Sequence, residues 1–308
     1  MVDRKAILAI LVSAVVLVII VAAVVSVVVN PGGRPVKVRS TFTFDNEAAV
    51  RFYNTLRTRT GLLSVIPDSS TIYVADDQQL DYAALSKLGD SSLADGMNET
   101  MLKSYGGLYG SYDPASCTLG YWNGADVAAG AYLPIPCGGT SWNLLSGNQS
   151  IVPNSTLANS TGYTLLATLW TGSVGSDYVS YADLDLYYCL NQLHYGDYSS
   201  AVNAFMKANS YWNGQGFADK AYNRSGEYDS YKLALDLIAF RALMNDPHTE
   251  GSVASYNSTL NQVQGIMSKL QGIDGGVFTD YQFVSAQLVI PNNTYENGET
   301  TSLFVLAE

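Results

Sequence analysis

The connections between the predicted helices of this chain alternate between short and long, which constrains its fold more than any other feature. Helical periodicity, interrupted by helix-stopping Gly and Pro positions, predicts eight helices. They cover residues 45–59, 78–88, 93–105, 181–193, 198–212, 230–245, 253–271 and 299–308. The connections after the second, fourth and sixth helices are short, and the four others are long. In an antiparallel array all long connections lie at one end, where we expect any functional site.

The longest connection, residues 106–179, is too long for a structureless loop. Its content of Thr, Tyr, Val and Gly predicts a β-rich insertion that forms a lid, followed by a buried stretch at 165–170. The segment 277–290 is also β-like and leads into a predicted turn at Asn297 and Gly298. We therefore expect a mainly helical domain with small β-rich additions.

An uncharged apolar run over residues 6–29 precedes this domain. At about 1.5 Å per residue it is long enough to cross a bilayer core of about 30 Å. A cleaved secretory signal is the alternative, but its apolar core usually has only about 7–15 residues. We predict a cytoplasmic tip at 1–5, a transmembrane helix at 6–29, a flexible stalk at 30–40 and a folded domain at 41–308.

Basic residues flank both ends of the apolar run, so the positive-inside rule does not decide its orientation. Two other features place the large domain outside the cell. Cys117 and Cys137 can close a loop as a disulfide, contributing on the order of 3 kcal/mol in an oxidising compartment. Seven Asn-x-Ser/Thr glycosylation acceptors occur, at Asn98, Asn148, Asn154, Asn159, Asn223, Asn257 and Asn292. The prediction is a single-pass glycoprotein of the cell membrane; Cys189, in a predicted helix, is expected to be a buried inert thiol.

Several function classes are disfavoured by composition. The net charge is −11 with 14% charged residues, and no Lys/Arg cluster is present to neutralise phosphates, so we expect no nucleic-acid partner. The two histidines, His194 and His248, have no motif beside a Ser or Cys nucleophile. No HExxH, paired CxxC or EF-hand spacing occurs, so we expect neither a metal nor a cofactor.

Four local strings carry a resemblance to a known architecture. They are GFADKAY at 216–222, YKLALDL at 231–237, GGVFTDY at 275–281 and NGETTSLFVLA at 297–307. With the hairpin pattern, they resemble archaeal extracytoplasmic proteins whose (α/α) toroid is similar to that of six-hairpin glycosidases. Eight helices form only four hairpins, so the resemblance implies a short or open ring. Uncovered apolar helix faces in such a ring would favour self-association.

This resemblance implies a carbohydrate substrate at the mouth where the inner helices begin. Asp76, Asp77, Asp183, Asp229 and Glu299 lie at predicted helix starts. Two carboxyl groups can cleave a glycosidic bond, one as a neutral proton donor and one ionised. Asp183 and Glu299 are the leading catalytic candidates, with Asp77 and Asp229 as further ones.

Cationic and aromatic side chains complete the predicted site. Tyr231 and Lys232 begin the third inner helix, and aromatic rings on the long connections would stack on sugar rings. The substrate-binding candidates are Lys232, Tyr231, Tyr109, Trp122, Trp212 and Tyr281.

Each candidate also has a structural interpretation. Acidic residues in a first helical turn satisfy free amides and the helix dipole, and the spacing of Ser180 to Asp183 is that of a capping box. A cation is disfavoured in a first turn, so Lys232 is expected to pair with a neighbouring acid. The aromatic candidates are more often core residues than sugar platforms, because a chain with 22 Tyr must bury some of them.

Two other functions stay open at this point. The same groove could bind glycan or envelope partners without catalysis. In addition, the start from Arg4 to Ile7 resembles the class III signals of archaeal pilins, which implies a filament subunit. Residues 30–35, however, contain helix-breaking Pro and Gly where a pilin helix would continue.

Overall fold

The computed structural model describes residues 42–69, 72–113, 115–116, 120–122, 124–133, 148–151, 164–169 and 180–308. This part of the chain is mainly helical, as predicted. Its helices are α1 (Asn46–Leu56), α2 (Ala75–Leu88), α3 (Ser91–Tyr105), α4 (Ala182–His194), α5 (Tyr198–Asn209), α6 (Tyr222–Ser225), α7 (Tyr231–Asn245), α8 (Glu250–Val253), α9 (Asn257–Met267) and α10 (Gly298–Ala307). Each of the eight predicted helices is confirmed by one of the longer helices, with ends shifted by a few residues, and the short and long connections alternate as predicted.

The longer helices fall into two sets that differ in burial. In α2, α4, α7 and α10, here called the inner helices, nearly every residue is buried. The outer helices α1, α3, α5 and α9 are amphipathic; in α1 the buried residues Ala48, Ala49, Phe52, Tyr53 and Leu56 recur at helical spacing. Outer and inner helices alternate along the chain. The apolar stripe of each outer helix therefore marks its one buried face. The inner helices are covered by other parts of the protein on most of their surface.

Contacts between the inner helices position their N-terminal ends. Helix α10 packs against α2 and α7, and α7 packs against α4. A buried 3₁₀ turn, Gly124–Val127, contacts both α4 and α2 and so links the two remaining inner helices. The outer helices pack on the inner ones: α3 on α2, α9 on α7, α1 mainly on α10 and also on α2, and α5 mainly on α4 and also on α7.

The strands are short. They are β1 (Ile72–Val74), β2 (Asn148–Ile151), β3 (Thr164–Leu169), β4 (Tyr228–Asp229), β5 (Val277–Phe278), β6 (Asp280–Val284), β7 (Gln287–Val289) and β8 (Glu296–Asn297). Three of these eight strands in the described ranges, β1, β4 and β8, come just before a helix start. Strand β3 pairs parallel with β1 and antiparallel with β2; β6 lies between β4 and β7, and β5 pairs with β8. Strands β5 to β7 confirm the β-like segment at 277–290. The predicted turn at Asn297 is wrong, because Asn297 ends β8 and its side chain caps α10 by accepting from the Thr300 amide.

The described residues of the connection at 106–179 do not all form the surface lid that the sequence predicts. Strands β2 and β3 lie within it, as expected, and Leu165 is buried. Trp122, the 3₁₀ turn and Leu133 are also buried, and the Asn191 side chain of α4 bonds both the amide and the carbonyl of Leu133 at 2.8 and 2.9 Å. This part of the connection belongs to the core.

Several predictions concern residues that lie outside the described ranges. They include the apolar run at 6–29, the stalk, Cys117, Cys137, Asn154 and Asn159. Of the helices that are described, none has the length and apolar character needed to cross a membrane. Asn223, Asn257 and Asn292 are exposed, Asn98 is half-buried on α3, and Asn148 begins β2. Cys189 is a buried free thiol, as predicted.

Candidate functional site

The second residue of every inner helix is charged and buried. These residues are Asp76 of α2, Asp183 of α4, Lys232 of α7 and Glu299 of α10, each exposing 3% or less of its surface. Strands β1 and β8 lead directly into α2 and α10, and β4 ends one residue before α7. We call the region around these four helix starts the mouth.

One half of the mouth is built around Lys232, whose side chain is 1% exposed. Its Nζ lies 2.6 Å from Asp219 Oδ2, 2.7 Å from Asp229 Oδ2 and 3.8 Å from Asp183 Oδ1. The Tyr231 hydroxyl donates to Asp183 Oδ2 at 3.1 Å. We call Lys232, Asp183, Asp219 and Asp229 the lysine cluster; it contains the salt bridge predicted for Lys232.

Asp219 joins two inner helices within the lysine cluster. Its Oδ2 accepts from the Ala182 amide at the start of α4, at 2.9 Å, as well as from Lys232 of α7. Its Oδ1 accepts from the Ala221 amide at 2.9 Å. Both oxygens of this fully buried carboxyl group therefore have hydrogen-bond partners, which offsets the cost of its burial.

Burial and charge act in opposite directions on the pKa values of the lysine cluster. Burial by itself would lower the pKa of Lys232, but Asp229, Asp183 and Asp219 raise it above its ordinary value. Burial raises the pKa of Asp183 to about 7, although Lys232 works against this rise. Lys232 is therefore charged, and Asp183 titrates near neutral pH.

The other half of the mouth is an acidic cluster of Asp77, Asp81 and Glu299. Asp81 lies one turn after Asp77 on α2, and its Oδ1 accepts from Ser302 of α10 at 2.7 Å. A Cβ at Gly298 would lie 3.0 Å from Asp81 Oδ1, so the missing side chain lets α2 and α10 approach closely. Among the described residues, no Lys or Arg forms an ion pair with these three acids.

Burial dominates the titration of the acidic cluster. It raises the pKa of Asp81 to about 7, with the Ser302 hydrogen bond opposing the rise. Burial raises the pKa values of Asp77 and Glu299 well above their usual range, and the charges of the neighbouring acids raise them further. Glu299 Oε1 accepts no hydrogen bond from any described residue. These carboxyl groups therefore favour their neutral forms.

Tyr187 is influenced electrostatically by acids of both halves. It is fully buried on α4, one turn after Asp183, and its hydroxyl has no hydrogen-bond partner among the described residues. Burial raises its pKa well above the ordinary value, and the charges of Asp183, Glu299, Asp76 and Asp126 add to the rise. These acids come from α4, α10, α2 and the 3₁₀ turn.

The helix-dipole interpretation fits Asp76, Asp77, Asp183 and Glu299, which all lie in first helical turns, but side-chain capping is absent at three of the four inner helices. The N-caps of α2, α4 and α7 are Val74, Tyr181 and Ser230, and none provides a side-chain cap. The capping-box interpretation of Asp183 is wrong, since its carboxylate accepts from Tyr231. Asp229 pairs with Lys232 instead of capping α7.

The aromatic candidates are mostly core residues. Trp122 and Tyr281 are 1% and 0% exposed, and they donate to the Ala131 and Gln215 carbonyls. Neither ring offers an open face to a ligand in this arrangement. Tyr109 and Trp212 are half-buried, with Trp212 edge-on to Phe217, and their role in sugar binding stays a prediction.

Sequence reasoning missed three residues of the mouth. Asp81 and Tyr187 follow the candidates Asp77 and Asp183 by four positions, a spacing that places each pair on one helix face and could have identified them. Asp219 lies within the string GFADKAY but outside any helix start. Only the fold brings it to Lys232.

Comparison with known proteins identifies no relative: no family model, curated protein or solved structure matches this chain. In the described ranges, no group of three His, Cys, Asp or Glu residues is arranged to hold a metal ion.

Proposed function

We propose that this chain is a membrane-anchored extracellular protein that binds carbohydrate at the mouth and hydrolyses a glycosidic bond with Glu299 and Asp183. One observation carries the proposal. Two inner helices each have a buried carboxyl group at their second residue, and the two carboxyl groups have different surroundings. Glu299 is surrounded by acids, whereas Asp183 lies near Lys232 and accepts from Tyr231.

These surroundings suggest separate chemical roles. Burial and the neighbouring acids hold the Glu299 pKa high, which suits a proton donor to the leaving oxygen. Lys232 favours the ionised form of Asp183, whose pKa of about 7 suits a base or nucleophile. Asp77 and Asp229 then act by keeping Glu299 neutral and Lys232 in place.

The fold supports a toroid-like arrangement. Alternating outer and inner helices, with all inner N-termini at the mouth, are the arrangement expected for an α/α toroid. We propose that the 3₁₀ turn at Gly124–Val127 completes the short ring between α4 and α2.

The sequence outside the described residues supports the location. The apolar run at 6–29 has the length of a membrane anchor. The exposed acceptors Asn223, Asn257 and Asn292 can carry glycans if the domain lies outside the cell.

The test is release of reducing sugar by the purified full-length protein on a panel of polysaccharides. We expect Glu299→Gln and Asp183→Asn each to lower turnover by at least about a hundredfold, the range for acid–base groups. Both changes replace a carboxyl group by a neutral group of similar shape, so the melting temperature should change by only a few degrees. The matched control is Asp95→Asn, which removes an exposed acid from α3.

Wild-type turnover should fall as the pH drops below about 7, where Asp183 becomes protonated. Unchanged turnover in both variants would exclude these residues as the acid–base pair. Absence of turnover on every substrate, with sugar binding retained, would favour the non-catalytic glycan-binding protein. An N-terminus shortened by five or six residues in mass spectrometry would favour the pilin-like filament subunit.

A further inference from the structure

The ion pair of Lys232 and Asp219 holds an amine against a carboxyl carbon. Lys232 Nζ lies 2.6 Å from Asp219 Oδ2, which is one bond from the carbon Cγ. The two side chains are 1% and 0% exposed, so bulk water does not separate them. Groups held in such contact reach effective concentrations of about 10⁵–10⁸ M, which positions this pair for a reaction between its two members.

Backbone amides surround the Asp219 carboxyl group as donors surround a reacting carbonyl. Its Oδ1 accepts from the Ala221 amide at 2.9 Å and from the Tyr222 amide at 3.3 Å. Two N–H donors on one oxygen stabilise the negative charge that develops there when a nucleophile adds to the carbon. Oδ2, which faces Lys232, is then the oxygen in position to leave.

The two other acids of the lysine cluster are placed for the proton transfers that such an addition requires. Asp229 Oδ2 is 2.7 Å from Lys232 Nζ and can take a proton from it. Asp183 Oδ1 lies 3.8 Å from the same nitrogen and has no hydrogen-bond partner among the described residues. Burial raises the pKa of Asp183 to about 7, so this group is a proton donor at mildly acidic pH.

The charge of Lys232 is both the barrier to this reaction and its driving force. The neighbouring acids raise the pKa of Lys232, and an ammonium group is not a nucleophile, so a proton must first leave Nζ. An amide carries no charge, however. Its formation would remove the cost of keeping an ammonium and a carboxylate buried together.

We propose that Lys232 Nζ and Asp219 Cγ form an isopeptide bond in the folded protein. Asp229 takes a proton from the ammonium group, and the neutral Nζ attacks Cγ while Asp183 protonates Oδ2. Asp183 then takes a second proton from Nζ, Asp229 returns its proton to Oδ2, and the bond from Cγ to Oδ2 breaks. The products are one amide and one water, both acids return to their starting forms, and no co-reactant is consumed.

This inference goes beyond the proposed function, because it concerns a link within the chain and no ligand. The bond would join α7 to the connection that precedes it, and through the Ala182 amide, which Asp219 accepts, to the start of α4. It would also replace the charge of Lys232 by an amide. The ion pair in the structure is therefore the state before the reaction.

Tandem mass spectrometry of tryptic peptides from the purified full-length protein detects the bond. Trypsin does not cleave after an acylated lysine, so the linked protein yields peptides 208–220 and 225–241 as one species, lighter than their sum by one water. The unlinked protein yields separate peptides that end at Lys220 and at Lys232. We expect the linked species to predominate after incubation of the folded protein at mildly acidic pH.

An exposed ion pair provides a control within the same digest. Lys103 Nζ lies 2.5 Å from Glu99 Oε1, but both side chains are mostly exposed. Solvent keeps both groups ionised, so trypsin should cleave completely after Lys103. Linkage at Lys232 alone would therefore show that burial and the neighbouring acids, and not proximity by itself, produce the bond.

Three variants test the assigned roles. Asp183→Asn removes the proton donor and Asp229→Asn removes the base, and each should lower the linked fraction after a fixed time at least about tenfold. Asp185→Asn is the matched control. Asp185 is a buried acid of α4 that forms no ion pair with Lys232 in the described ranges, so the linked fraction should not change.

Each result supports or overturns a defined part of the proposal. Complete cleavage after Lys232 in the wild type would overturn the bond, and this digest decides the question even where a variant fails to fold. Peptide 225–241 alone, lighter by one water, would overturn Asp219 as the acceptor, because Asp229 lies in that peptide. Full linkage in both Asp183→Asn and Asp229→Asn would overturn the assigned acid and base. Release of reducing sugar tests the proposed function separately.

Discussion

Both halves of the mouth contain several buried acidic residues, yet they differ in how the charge of these acids is neutralised. In the lysine cluster, Asp219 and Asp229 each lie within 2.7 Å of Lys232 Nζ. In the acidic cluster, Asp77, Asp81 and Glu299 have no ion-paired cation among the described residues, and burial raises their pKa values. Lys232 therefore links Asp219 and Asp229 in a salt-bridge network, whereas burial acts on the acidic cluster without an opposing ion pair.

Of the substitutions considered, removal of the Lys232 charge should lower the stability of the fold most. Lys232→Met keeps the length of the side chain but leaves Asp219 and Asp229 buried without a counter-charge. We expect the free energy of unfolding to fall by about 3–5 kcal/mol, measured by urea denaturation at neutral pH. The loss should shrink at low pH, where the acids can take up protons.

Lys103→Met is the control for this change. Lys103 forms a 2.5 Å ion pair with Glu99 on the exposed face of α3. Its removal should leave the urea midpoint nearly unchanged, because solvent screens an exposed pair. Similar effects of the two substitutions would show that the lysine cluster is not the tighter network.

The acidic cluster should make stability fall as pH rises. Asp81 has a folded-state pKa of about 7, above the ordinary 3.8, so the folded protein holds this proton more tightly than the unfolded chain. Its contribution is fully present below about pH 4 and is lost as the pH rises through about 7. The change for this group is at most on the order of 4 kcal/mol, at about 1.4 kcal/mol per pKa unit.

Urea denaturation of the wild type and of Asp81→Asn across this pH range measures the contribution of the Asp81 carboxyl group to stability. The asparagine variant resembles the protonated form, so it should match the wild type near pH 4 and exceed its stability above about pH 7. Asp95→Asn, at an exposed position of α3, should leave the slope unaltered. A wild-type stability that increases from about pH 4 to 7 would contradict the neutral state of the acidic cluster.

The smallest expected difference in stability is that between the Phe variants of two fully buried tyrosines, Tyr53 and Tyr187. The Tyr53 hydroxyl lies 2.6 Å from Ser302 Oγ, beside Asp81, whereas the Tyr187 hydroxyl has no partner in the described ranges. Tyr53→Phe should lower the free energy of unfolding by about 1 kcal/mol, and Tyr187→Phe should leave it equal or slightly higher. Equal losses in urea denaturation would mean that Tyr187 is part of the structural network.

Local patterns were sufficient to predict the helices and their order. The outer helices show one apolar stripe, and Gly89 and Gly106 end α2 and α3 in the left-handed conformation that glycine favours. The burial of Gly124–Val127 and Leu133 was not predicted, because the Gly- and Tyr-rich composition around them is that of a surface connection. The cap of α10 was also missed, because Asn297-Gly298 has the same composition as a turn.

The sequence by itself determined which residues form helices, which ends carry the long connections and which charged residues begin the inner helices, since these depend on neighbours within a few positions. Only the tertiary structure decided how those charges are neutralised. Asp219 reaches Lys232 and the start of α4 from a connection, and acids from α2, α4, α10 and the 3₁₀ turn raise the pKa of Tyr187. The titration of a buried carboxyl group depends on burial and on which charges lie within a few ångströms, and neither is encoded in local spacing.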